Sequence, residues 1–138
     1  MSHHNAVLLL GSNIGDQKKN LELALQELIN RNIKIISQSQ FLFSDPVEFA
    51  SCNIFCNIAL NIEVDVSPIQ LLNIIKEIEQ KMGRITDSGD SRNYTDRIID
   101  IDIVTYNNIA FSSKRLEIPH SRHLYEREFS QKLLESLN

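Results

Sequence analysis

The ten residues FCNIALNIEV, positions 55 to 64, constrain this chain more than any other stretch. Cys56, Ile58, Leu60, Ile62 and Val64 alternate with Phe55, Asn57, Ala59, Asn61 and Glu63, a period of two that only an extended strand can exploit. One face is apolar and the other mostly polar, so the strand covers a core on one side. SPIQ follows at once. Ser67 is placed to cap a helix, Pro68 suits its first position, and Gln70 completes the reciprocal cap. Leu71, Ile75, Ile78 and Met82 then recur at helical spacing. A half-buried strand running into an amphipathic helix implies helices packed on one side of an antiparallel sheet.

The rest of the chain supplies the partners. AVLLL reads as a strand, GSNIGD as a tight turn made by its glycines, and Gln17 to Asn30 as a helix with Leu21, Leu25 and Leu28 on one face. IKIISQSQFLF reads as a second strand, and SDPVEFASCN as a loop. After the second helix, GRITDSGDSRNYTDR is a long polar loop, and RIIDIDIVTY a last strand. The order βαββαβ is that of an α+β, ferredoxin-like fold, an antiparallel sheet with its helices on one face and the active site on the other. At 138 residues the chain is the size of one domain, expected to span 1–138.

Composition removes several classes of function. A formal net charge of −4 gives no basic surface for nucleic acid. There is no apolar run long enough to cross a bilayer, and MSHHNAVLLLGSN lacks the basic start and long apolar core of a signal peptide. A cytoplasmic monomer acting on small molecules is the expectation. Cys52 and Cys56 complete neither a zinc site nor a disulfide framework and are expected as free thiols, Cys56 in the core.

The last strand carries the chemistry. Aspartate is depleted in strands, yet Asp100 and Asp102 interrupt this one. If Ile99, Ile101 and Ile103 pack under the helices, both carboxylates project from the opposite face, with Cα atoms about 6.6 Å apart. Such a pair suits hard divalent cations, which take oxygen ligands and sit about 3.5–4 Å apart in phosphoryl-transfer sites. It serves equally well as a charged face that keeps a sheet soluble. The surroundings favour the first use. Arg84, Arg92 and Arg97 precede the strand, and Arg115, His120, Arg122 and Arg127 follow it, as a metal-polyphosphate would require. GSNIGD lacks the Lys-Ser/Thr of a P-loop, which leaves its glycines to the turn. His3 and His4 lie in a terminus expected to fray, and nothing assigns a role to His123 or Arg122.

LLLGSNIGDQKKNLELAL, SDPVEF, FCNIALNIEV, EQKMGR, DRIIDIDIVTYN and RLEIPHSR, in this order, resemble the 6-hydroxymethyl-7,8-dihydropterin pyrophosphokinases of folate biosynthesis. The resemblance implies transfer of pyrophosphate from ATP to the hydroxymethyl group of a reduced pterin. It implies that Asp100 and Asp102 hold two Mg²⁺ ions, with Arg84 and Arg97 beside them as further catalytic groups. Glu79, Arg84, Tyr94, Arg97, Ile103, Arg115, His120 and Arg127 would bind ATP. Ser44, Val47, Phe55, Asn57, Asp100 and Phe129 would form the pterin pocket, Phe55 and Phe129 sandwiching the ring and Asn57 reading its edge. The loops at 44 to 54 and 85 to 96 would close over the site. The chain departs from the family pattern in three places. The loop before Asp100 is longer, Thr86 and Tyr94 stand where arginine and tryptophan are usual, and the segment from His120 to Arg127 has one extra residue. The alternative is a ferredoxin-like nucleotide- or metal-binding module without catalysis.

Overall fold

A computed structural model describes residues 3–44, 54–83 and 98–137. Val47, Cys52, Arg84, Tyr94 and Arg97, and the expected lid loops but for Ser44 and Ile54, fall outside those residues. In chain order the elements are β1 (His4–Ser12), α1 (Gln17–Asn30), β2 (Lys34–Gln38), β3 (Leu42–Ser44), β4 (Phe55–Val64), α2 (Pro68–Met82), β5 (Asp100–Tyr106), β6 (Phe111–Ser112), β7 (Glu117–Ile118), a π-helical turn (Arg122–Glu126) and α3 (Glu128–Glu135). The main sheet has the order β2-β4-β1-β5, every neighbour antiparallel. With α1 and α2 on one face this is the ferredoxin-like arrangement.

The helices begin where their caps dictate. Asp16 accepts from the Lys19 N–H at the start of α1. Ser67 and Gln70 exchange both bonds of a capping box, with Pro68 at the first position of α2. The apolar stripes of the two helices, Leu21, Ala24 and Leu28 from one and Leu71, Ile75 and Ile78 from the other, meet Leu8, Leu10, Ile58, Leu60, Ile101 and Ile103 from the sheet. Cys56 is buried in this core as a free thiol, and burial pushes its pKa up. Truncating one of these fully enclosed aliphatic side chains to alanine costs about 2–5 kcal/mol.

Three features differ from the sequence reading. The expected second strand is split into β2 and β3, both paired to β4. Between them Ser39 satisfies the central strand by itself: its N–H donates to the Ala59 carbonyl at 2.9 Å, and its Oγ accepts from the Ala59 N–H at 2.8 Å. Secondly, His4 does not fray. It starts β1 opposite Val64 and stacks on Tyr106. Thirdly, the face opposite α1 and α2 is not wholly open. Leu9, Ala59 and Val104 form an apolar patch there, and α3 covers it with Leu133, Phe129 and Leu134. The spacing of Phe129, Leu133 and Leu137 carries the signal for that helix.

A bulge in β5 sets which side chains face this second surface. The register with β1 shifts by one residue between Leu8↔Ile103 and Val7↔Thr105. Asp100, Asp102 and Val104 share the face under α3 by alternation, and it is the bulge that returns Tyr106 to the helix side, where its hydroxyl donates to the Val66 carbonyl.

Candidate active site

The uncovered end of that second face is a cleft open to solvent. Its floor is the end of β1, where Gly11 stands opposite Asn57 of β4 on one side and Asp100 of β5 on the other. Asp100 and Asp102 line one wall, Phe55, Asn57 and Ser44 the other, and Arg127, Phe129 and His123 close the end beneath α3. The structure thus gathers Ser44, Phe55, Asn57, Asp100, Asp102, Arg127 and Phe129 in one place, as expected from the sequence. The reason is the strand period. Each residue sits on the sheet face away from α1 and α2, or on the segment that folds back across it.

Asn57 is only 5% exposed. Its Nδ2 donates to the Leu42 carbonyl at 3.0 Å and to Ser44 Oγ at 2.8 Å, which fixes the amide orientation, because a carbonyl can only accept. The Asn57 Oδ1 then points toward Gly11. A Cβ at position 11 would lie 2.8 Å from that oxygen and 3.2 Å from Phe55 Cδ1. Gly11 is therefore part of the cleft floor, not of the turn to which the sequence reading assigned it. Gly15, at φ +70°, is the glycine that the turn itself requires.

Asp102 is held by a residue the sequence left without a role. His123 is 3% exposed, and its Nε2 lies 2.7 Å from Asp102 Oδ2 while its Nδ1 lies 2.6 Å from Ser130 Oγ. Burial pushes the Asp102 carboxyl up, but the hydrogen bond from His123 and the charges of His123, His120 and Arg127 outweigh it and hold the group below its ordinary range. An ionised Asp102 can only accept, so His123 Nε2 carries a proton and donates to it. Arg127 Nη1, 3.5 Å from the same nitrogen, finds no lone pair there. His120 packs against His123 at a tilt of 41° with ring centroids 4.3 Å apart, and burial lowers its pKa despite the pull of Asp102.

Other expected ATP residues are placed elsewhere. Ile103 is 2% exposed in the helix-side core, so its side chain does not reach the cleft. Glu79 is buried against the outer edge of β5, where Oε2 accepts the Ile101 N–H at 2.8 Å and Oε1 meets Lys76 at 3.3 Å. Among the described residues β5 is an edge strand, and this carboxylate satisfies a main-chain donor that no described strand reaches. Arg115 is exposed and donates to Asn73 Oδ1 of α2 at 2.7 Å. Arg122 is exposed at the start of the π-helical turn. That turn is closed by the Arg127 N–H donating to the Arg122 carbonyl at 2.9 Å, five residues back. An i→i+5 turn takes one residue more than an α-helical one.

A family model described as 7,8-dihydro-6-hydroxymethylpterin-pyrophosphokinase (HPPK) matches residues 7–138. The chain belongs to this family. It is 34% identical over 123 residues to the 2-amino-4-hydroxy-6-hydroxymethyldihydropteridine pyrophosphokinase of Porphyromonas gingivalis, a match covering 88% of this chain and 82% of that protein. It is 35% identical over 128 residues to the mitochondrial folate synthesis bifunctional protein of Arabidopsis thaliana, covering 93% of this chain but 22% of that one. The chain thus spans about a fifth to a quarter of the length of such bifunctional relatives. The crystal structure of wild-type Plasmodium falciparum HPPK-DHPS with pteroate is similar in fold, with a TM-score of 0.60 at 15% identity over 97% of this chain and 36% of that one. In this HPPK chain, no helix among the described residues is long and apolar enough to cross a membrane.

Proposed function

We propose that this chain transfers pyrophosphate from ATP to the hydroxymethyl oxygen of 6-hydroxymethyl-7,8-dihydropterin in folate biosynthesis. The new bond joins that oxygen to the β-phosphorus, the bond from the β-phosphorus to the α,β-bridging oxygen breaks, AMP leaves with its electron pair, and the hydroxyl proton is released. The observation that carries the reading is one cleft holding paired carboxylates beside a polar pocket flanked by two aromatic rings. The relatives' names give the alternative of a non-catalytic module no support.

The donor set fits Mg²⁺. Asp100 and Asp102 are hard oxygen donors on one strand face, and Asp102 is kept ionised. These two residues would hold the metal, two ions in our reading, which when bound would neutralise phosphate charge. The protein's own work is positioning. Phe55 and Phe129 would flank the heterocycle while Asn57 and Ser44 meet its polar edge. Arg127 would supply a guanidinium to the polyphosphate, joined by His120 and by Arg84, Tyr94 and Arg97 from the preceding loop. The packing of α3 over the sheet closes one side of the cleft against water, which would otherwise accept the pyrophosphate. We further infer one domain over 1–138, monomeric and cytoplasmic, with small molecules as its partners. Incubation with Mg-ATP and the hydroxymethyl pterin tests the reading: AMP formed in proportion to pterin supports it, and no pterin-dependent AMP refutes it.

A further inference from the structure

We infer that His123 is a positioning residue that holds the Asp102 carboxylate in the orientation in which the Asp100 and Asp102 pair takes up a divalent cation. The inference rests on the proposed metal role of that pair.

The geometry is that of an outer shell. A carboxylate on an exposed strand face turns about two side-chain bonds, and a cation must order it before both oxygens can be used. Here Oδ2 is pinned at 2.7 Å by His123 Nε2, which leaves Oδ1 as the oxygen free to meet a cation. His123 cannot swing away. It is 3% exposed, Ser130 Oγ holds its other nitrogen at 2.6 Å, His120 lies over its ring and Phe129 meets the ring edge-on at 6.2 Å. Ser130 belongs to α3, whose Leu133 is locked into the apolar patch of the sheet. A chain of fixed contacts therefore runs from the packing of α3 through Ser130 and His123 to Asp102. Loss of such outer partners lowers metal affinity about 10–100-fold. A histidine present only to fill space under α3 would be replaceable by leucine with no effect on the metal.

Mn²⁺ binding, read by electron paramagnetic resonance of the free ion, tests this without turnover. The full chain is titrated in the presence of an ATP analogue carrying a methylene between the α- and β-phosphorus. His123→Leu and His123→Asn, which place no donor at the Nε2 position, are expected to weaken Mn²⁺ binding about tenfold or more. His123→Gln, whose amide nitrogen reaches that position, is expected to stay within about threefold of the natural protein. Mn²⁺ binding by His123→Leu or His123→Asn as tight as the natural protein's overturns the inference. So does equal binding by the asparagine and glutamine variants, a comparison that decides the matter if the leucine variant does not fold. Absence of Mn²⁺ binding by the natural protein would overturn both this inference and the metal role of the carboxylate pair, whereas intact binding that is indifferent to residue 123 overturns this inference alone.

Discussion

Gly11 faces Asn57 across the centre of the sheet so closely that a methyl group on residue 11 would lie 2.8 Å from Asn57 Oδ1. Asn57 has nowhere to retreat, because its Nδ2 is committed to Leu42 and Ser44. Gly11→Ala should therefore displace the amide proposed to meet the pterin, although the backbone at this strand position, without positive φ, accepts alanine. The expected result is at least a tenfold loss of pterin affinity, about 1.4 kcal/mol, in a protein that still folds but melts lower because the amide's bonds to Leu42 and Ser44 are disturbed. Calorimetric titration with the pterin would show it, and unchanged affinity would remove Gly11 from the site.

Asn57→Ala should act twice. Removing the amide leaves the Leu42 carbonyl and the Ser44 hydroxyl without this donor, which costs about 1–3 kcal/mol of stability if both remain buried. Pterin binding should weaken by a similar amount. ATP affinity should hardly change, because Asn57 lies on the wall of the cleft opposite the carboxylates. Equal loss of both ligands would point to collapse of the cleft rather than loss of a pterin contact.

Asp100→Asn and Asp102→Asn should each lower AMP formation about 100-fold or more, the scale on which removal of one electrostatic group acts in a preorganised site. Both should remain folded, since neither side chain belongs to the apolar core and an asparagine oxygen at 102 can still accept from His123. Circular dichroism alongside the AMP assay separates the two effects. Near-normal turnover in either variant would refute the metal role.

Glu79 is where structure and resemblance part. As a tether of β5, Glu79→Ala should cost about 1–3 kcal/mol of stability through the stranded Ile101 N–H, and Glu79→Gln should recover most of it because the amide oxygen still accepts. Nucleotide affinity measured on the folded protein should stay the same. A variant with normal melting and weakened ATP binding would restore Glu79 to the nucleotide site.

Local sequence determined a large part of this protein. The bounds of β4 and α1, and the capping box of α2, follow from periodicity and from caps that act within a few residues, so they needed no tertiary context. The facing of Asp100 and Asp102 away from the helices followed from the same alternation, and the fold class from the order of the elements. Side-chain identity alone could not place what depends on distant segments meeting. Glu79 was legible as an acidic residue near the phosphate-binding arginines, but its actual partner is an N–H on the free edge of a strand more than twenty residues away. Gly11 read as the start of a turn because glycine's freedom is a local property, whereas its role is to leave room for Asn57 across a strand pair. His123 had no local pattern at all. It became legible only when α3 packed on the apolar patch of Leu9, Ala59 and Val104, because that packing brings Ser130 to one ring nitrogen and Asp102 to the other. Periodicity decides which face a residue takes, while long-range packing decides what it meets there.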